Sequence, residues 1–212
     1  MKKGMIAAVL VAGLAGAANA DLLYSNAWDQ TGNAYSSQND TATYGNFATA
    51  YAFFTTGGAQ WNVTDIHVVG EFFNPPEAAP IAGMTVKIFA DAGNAPGALL
   101  SSTYVPAGSF IETSLGNVGG FPCFKYDMDV TPTMVTGDAW VSVVPDVAFP
   151  PQWGWATGVD ANPSHAAWQD FFGTPGRLPA SLALDVTGRV VPAPASLALL
   201  GIGGLVAGRR RR

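Results

Sequence analysis

Two apolar segments bracket this chain, and they limit what the middle can become. Met1-Lys2-Lys3 leads into an apolar run from Met5 to Ala18 that ends in Ala18-Asn19-Ala20. A positive head, a short glycine-containing apolar run and a small-x-small triplet closing on Ala18 and Ala20 predict an export signal, cut by signal peptidase after Ala20. At the far end Val191-Pro192-Ala193-Pro194 precedes an apolar stretch from Ala195 to Gly208 and the closing arginines Arg209, Arg210, Arg211 and Arg212. That stretch is marginal for crossing ~30 Å of hydrocarbon, yet the arginines would hold it in the inner membrane once the Sec machinery had moved the body across. The expectation is an N-terminal signal helix over 1–20, one exported domain over 21–189, and a tail with a short hydrophobic helix over 190–212.

An exported domain with a single cysteine, Cys123, cannot form an internal disulfide and must hold together by packing. Cys123, within Phe121-Pro122-Cys123-Phe124, reads as a small buried hydrophobe. The 25 glycines and 15 prolines, with only 12% charged residues, favour many short strands joined by tight turns. Between Asp21 and Val190 the cations are Lys87, Lys125, Arg177 and Arg189 against all fifteen acidic residues, a net charge of -11. Such a surface repels phosphate backbones, which excludes nucleic acid as a partner, and it would attract divalent cations.

The order of parts in the tail resembles the PEP-CTERM sorting signal, in which Pro-Glu-Pro precedes a hydrophobic segment and a basic cluster. Pro192, Pro194, the Ala-Leu-Leu-Gly-Ile-Gly-Gly-Leu-Val run from Ala198 to Val206 and the arginine cluster fit, while Ala193 stands in place of Glu. The resemblance implies processing by an exosortase, a membrane cysteine protease of Gram-negative bacteria that make extracellular polysaccharide. It also implies residence at the cell surface or in the extracellular matrix after transient membrane anchoring.

Along the body, Thr31 to Gly45 is polar and reads as a long loop. Strands are predicted over 46–56 and 60–73, joined as a hairpin by Gly57-Gly58. In the second, alternation puts Trp61, Val63, Asp65, His67 and Val69 on one face, with Asp65 and His67 as hydrogen-bonding neighbours. Further strands are predicted over 84–90, 99–105, 109–115, 124–130, 139–144, 152–156 and 182–188, with turns at Gly119-Gly120 and Thr136-Gly137-Asp138. Over 139–144 both faces are mostly apolar, which predicts a central strand. The count and spacing predict an all-β fold, a two-sheet antiparallel jelly-roll-like sandwich. The strand ending in Ile88-Phe89-Ala90-Asp91, the loop Asp91-Ala92-Gly93-Asn94-Ala95-Pro96-Gly97 and the following Leu99-Leu100-Ser101-Ser102 resemble jelly-roll-like extracellular domains of bacterial surface proteins.

Asp91 and Asn94 are the candidate ligands for a calcium ion, Ca2+, since that ion takes oxygens from loops; three such side chains at EF-hand spacing are absent. The densest aromatic region holds Trp153, Trp155, Trp168, Phe171 and Phe172, interleaved with Gln152, Asp160, Asn162, His165, Gln169 and Asp170. Sugars stack their C–H faces on such rings, so Trp153, Trp155, Trp168 and Phe171 are candidate sugar-binding residues, the first two also fitting a core. No nucleophile elbow, metal-ligand cluster or phosphate loop is present, and Asp127 and Asp129, two apart on one strand face, read as solvated or ion-binding rather than catalytic. The leading expectation is therefore a non-enzymatic surface or matrix protein with a structural or adhesive domain. A carbohydrate-binding module holding exopolysaccharide is the alternative. A glycoside hydrolase would need two carboxyls roughly 5 to 10 Å apart in a cleft.

Overall fold

The computed structural model of the protein describes residues 20–192. Ala18, Ala193, Pro194, Arg209 to Arg212 and both expected terminal helices lie outside the described residues. Within them the chain is all-β. Its strands are β1 (Asp21–Asn26), β2 (Ala34–Ser36), β3 (Gln38–Asp40), β4 (Gly45–Phe73), β5 (Gly83–Asp91), β6 (Pro96–Pro106), β7 (Phe110–Val118), β8 (Phe121–Val147), β9 (Gln152–Ala156), β10 (Trp168–Phe171), β11 (Thr174–Arg177) and β12 (Leu184–Val191). One 3-10 turn at Pro163–His165 is the only helical element among the described residues.

The expected hairpin at Gly57-Gly58 is instead a corner. β4 does not fold back on itself; it runs antiparallel to β8 from Tyr51↔Ser142 to Glu71↔Cys123, and both strands turn the corner together. At the corner Thr55 pairs with Asp138 and Gln60 with Thr136, so residues 56–59 of β4 stand opposite Gly137 alone. Gly57, Gly58 and Gly137 all have positive φ (61°, 86° and 82°), the conformation that lets a strand bulge without steric cost. Thr56 serves the backbone groups that the bulge leaves over: its Oγ1 accepts from Gly137 N at 2.8 Å and donates to Ala59 O at 2.7 Å. The expected turn at Thr136-Gly137-Asp138 is the other side of the same corner.

A second register slip, between Val63 and Asp65, corrects the expected faces. Because side chains alternate, each slip exchanges inside for outside. Ala50, Ala52 and Phe54 point to the core before the corner, Trp61 and Val63 after it, then Ile66, Val68 and Phe72, all at most 7% exposed. Trp61 and Val63 thus join the core that Ile66 and Val68 occupy, while Asp65 and His67 stay outside.

The strands form one sheet with the order β1-β12-β4-β3-β8-β5-β6, and β10 and β11, β2 and β9, and β7 attach alongside. It is mixed, because Asn39 and Asp40 of β3 pair parallel with Asp146 and Val147 of β8. The corner divides it in two. In one half β10, the start of β4, the end of β8, β5 and β6 lie side by side; in the other lie β1, β12, the end of β4, the start of β8 and β7. Side chains of both halves pack in one core, with Trp153 and Trp155 of β9 at its centre. Each large apolar side chain buried there contributes about 1.5–3 kcal/mol, which is how a domain without a disulfide holds together.

Two stretches outside the predicted strands also form strands. Thr31 to Gly45 contains β2 and β3, because Asp40 organises the turn that follows: its carboxylate accepts from the backbone of Ala42, Thr43, Tyr44 and Phe149. The region around Trp168 is a hairpin of β10 and β11 turning on Phe172-Gly173, both at positive φ (50° and 76°). The 139–144 segment is central as expected, between β4 and β5 and buried on both faces.

Gly70 carries a close approach: a Cβ there would overlap the indole of Trp153. Gly70→Ala is expected to lower stability by about 1–3 kcal/mol, the range for an overpacked core, read as a lower urea midpoint with an unchanged slope.

Candidate functional site

In the half-sheet built from β10, β4, β8 and β5, registration fixes which side chains share the face turned away from the core. Trp168 pairs with Tyr51, Tyr51 with Ser142 and Ser142 with Lys87, so these four cross the sheet as one row. Phe53, Trp140 and Phe89 form the row on one side. On the other side Asp170 stands opposite Thr49 and Val144 opposite Thr85. The intervening residues, among them Ala50, Ala52, Val141, Val143, Val86 and Ile88, fill the core. Core packing on one side therefore dictates a mixed polar and aromatic surface on the other.

That surface holds a cleft of about 290 Å³. Ser142 Oγ and Asp170 Oδ1 in its lining are buried with no protein partner, although such atoms are nearly always satisfied. No carboxylate among the described residues lies within ion-pair distance of the Lys87 ammonium. At one end Asp146 is fully engaged, accepting from Asn39 Nδ2 at 2.7 Å and from Tyr104 Oη at 3.1 Å. Tyr51 and Phe89 meet edge to face, centroids 5.6 Å apart. Burial, with the charge of Asp170, pushes the Tyr51 phenol up, so it remains a hydroxyl donor. The cleft offers hydroxyls, amides, a carboxylate, an ammonium and two rings, with no nucleophile activated by a base. Such a set suits recognition of a polyhydroxylated ligand.

The expected aromatic surface divides. Trp153 and Trp155 are both 0% exposed and belong to the core, so neither ring face can meet a sugar; Trp155 Nε1 donates to Ala183 O at 2.7 Å. Trp168 lies on the cleft face, half-buried, with Nε1 donating to Asn94 O at 3.0 Å. Phe171, one residue past Asp170, points to the opposite side and joins Tyr44, Phe47, Phe149 and Phe172 in an aromatic group at the strand ends. Of the polar residues between these rings, Asp170 alone enters the cleft; Gln152 and Gln169 bind β2, Asn162 caps the 3-10 turn, and His165 pairs with Asp160 and stacks on Phe53. Sequence reasoning missed Tyr51, Lys87 and Asp146 because they come from separate strands. The signal was Thr85 and Lys87 alternating with apolar residues, matched by Ser142 in a strand otherwise buried on both faces.

The candidate calcium ligands have structural roles. Asp91 Oδ1 accepts from Trp140 Nε1 at 2.7 Å and Oδ2 from Asn94 N at 3.0 Å. Burial works to raise the Asp91 carboxyl, but these bonds and those from Gly93 and Ala95 hold it below the ordinary range. Asn94 Oδ1 accepts from the Arg177 guanidinium at 3.1 Å, which places positive charge where a cation would sit. No group of three or more His, Cys, Asp or Glu among the described residues is arranged to hold a metal.

On the outer face of the other half-sheet, Asp65 and His67 do not bond each other, because each finds a partner across the strands. His67 Nδ1 meets Asp127, which Lys125 Nζ also contacts at 2.8 Å. Asp65 accepts from Thr64 at 2.6 Å and Thr187 at 2.9 Å and faces Asp129 in register. The bond shared with Asp65, then burial and the Asp65 charge, raises the Asp129 carboxyl. Burial opposes it, but hydrogen bonds from Thr64, Thr187 and Asp129 keep Asp65 below the usual range. Two carboxyls sharing one proton stabilise the fold at low pH, and that contribution is lost as pH rises through the raised Asp129 value. Asp129→Asn, which supplies a permanent donor, is expected to stabilise the protein by about 0.2–1 kcal/mol at pH 7. The gain shrinks toward pH 3 in melts recorded across that range.

No protein-family model, no curated protein and no solved structure matches the chain.

Proposed function

We propose that this chain is an exported, tail-sorted surface protein whose β domain holds a polysaccharide strand across the polar face of β10, β4, β8 and β5. The observation that carries the reading is the pair of buried, unpartnered polar atoms, Ser142 Oγ and Asp170 Oδ1, in a cleft that also presents Tyr51 and Phe89. Left unsatisfied, each costs on the order of 1–3 kcal/mol, and a ligand hydroxyl would remove that cost. The role is binding and adhesion rather than catalysis. The bent sheet, with its halves on either side of one core, is read as a jelly-roll-like body. Export and sorting rest on the terminal segments: the small-x-small triplet before Asp21, and the proline pair, apolar stretch and arginines after Val190.

Two measurements test this. Intact mass of the protein recovered from the native surface or medium should show a species that begins at Asp21 and lacks Arg209 to Arg212 only where the exosortase is present. A protein that keeps its arginines in both backgrounds is a plain membrane protein. Affinity electrophoresis through the host's own exopolysaccharide should retard the mature protein, and Tyr51→Ala should weaken that retardation about tenfold. Equal mobility of the wild-type and Tyr51→Ala proteins removes the cleft from the account.

A further inference from the structure

A separate cleft of about 560 Å³ lies where β2, the end of β4 and the start of β8 meet. In its lining is Glu71, 1% exposed, paired in register with Cys123 of β8 and Gly154 of β9. Gly154 adds no side chain, and Phe73 and Ala34 stand so near that a Cβ there would meet Phe73 Cε1 at 2.6 Å and Ala34 Cβ at 2.9 Å. One wall forms where the loop after β1 touches the β7–β8 turn. There Gly32 and Gly119, at φ 74° and 62°, approach so closely that a Cβ on Gly32 would lie 2.9 Å from Gly119 Cα. The cleft is thus framed by backbone contacts that no larger residue permits.

Its chemistry is one-sided. Glu71 and Asp29 both line it and no Lys or Arg does. Asp29 is committed: Oδ1 accepts from Thr31 N at 3.0 Å and Thr31 Oγ1 at 2.9 Å, and Oδ2 from Thr157 Oγ1 at 2.6 Å. Glu71 is not. Among the described residues its only donor is the Cys123 thiol, a weak one, at 3.7 Å from Oε2. Its other oxygen takes no protein hydrogen bond. Three rings join the two carboxylates in the lining, Tyr35 with Phe73 and Phe121, the last two meeting edge to face at 6.3 Å, and Asn33 and Thr157 add polar groups. Ring faces attract cations, and a carboxylate among them favours an organic ammonium.

We propose that this cleft binds an organic ammonium group, seated between the Glu71 and Asp29 carboxylates and faced by the rings of Tyr35, Phe73 and Phe121. The volume accommodates a ligand of sugar-unit size, so the ammonium belongs to an amino sugar or to a free polyamine. This site does not depend on the polar face of the other half-sheet and can hold or fail independently of it.

The test is titration calorimetry of the mature protein with a glucosamine oligomer, its N-acetylated counterpart, spermidine and calcium chloride. A glucosamine oligomer or spermidine binds, the stronger of the two naming the source, and acetylation of the amines weakens binding about tenfold or more. Burial, then the charge of Asp29, raises the Glu71 carboxyl against the pull of the Cys123 thiol bond. Burial, then the Glu71 charge, pushes the thiol up to about 11, and burial raises Tyr35. An ammonium favours the ionised Glu71 carboxylate, so affinity falls as pH is lowered through the raised Glu71 value. Glu71→Gln removes at least tenfold in affinity and flattens its pH dependence; should that variant fail to fold, Asp29→Asn and Phe121→Leu serve in its place. Equal binding of the acetylated oligomer, binding of calcium alone, no binding by either amine, or wild-type affinity in the folded variants overturns the proposal.

Discussion

The ladder between β4 and β8 is the constraint on which the rest of the molecule depends. The strands stay paired from Tyr51↔Ser142 to Glu71↔Cys123 through a corner that neither could turn alone. Glycine at 57, 58 and 137 supplies the positive φ values, and one threonine hydroxyl, Thr56 Oγ1, serves an amide on one side and a carbonyl on the other. Every other strand of the sheet except β1, β2, β6 and β11 pairs directly with β4 or β8, so both half-sheets inherit their position from this ladder. A single core follows, while Cys123, buried and free, stands beside Glu71 rather than in that cluster.

Register slips then decide the chemistry of each face. Before the corner the even-numbered residues of β4 are inside and Thr49, Tyr51 and Phe53 are out; beyond Asp65 the even positions are inside again and Asp65, His67 and Glu71 are on the outer side. Between the two slips, Trp61 and Val63 reverse this and fill the core, where Trp61 stacks on Phe54 with centroids 6.4 Å apart. The two outer faces consequently differ. One carries hydroxyls, rings and Lys87. The other carries Asp65, Asp127, Asp129 and Glu71, and the basic partners, His67 across the strands and Lys125 two residues away on β8, pair only with Asp127. Asp146 and Asp170 place carboxylates in the cleft of the first face as well, so the acidic charge is divided between the two half-sheets.

Much of this was legible in the residues. The β5–β6 hairpin around Asp91 to Gly97, the Gly119-Gly120 turn between Val118 and Phe121, and the central 139–144 segment lie where alternation and turn chemistry put them. The corner was not, because Gly-Gly flanked by two β-rich runs satisfies a hairpin and a bulged strand equally. Which one forms depends on whether a distant partner, here β8, continues past the break. Nor does alternation report a slip within a run such as 60–73, where polar and apolar residues fit either phase. Trp153 and Trp155 illustrate the limit for sites: a pair of tryptophans flanking a glycine looks alike in a core and in a sugar platform, and only the ring of Trp153 lying against Gly70 distinguishes them.

The same geometry bears on where the chain leaves the sheet. β12 pairs with β4 as far as Val190↔Trp61 and Val191↔Gln60, the last pair standing at the corner itself. Pro192 follows, exposed and without an N–H to extend the ladder, so the strand ends there. The contacts that hold Tyr51, Ser142 and Asp170, or Glu71 and Asp29, in place are all made by residues before Pro192.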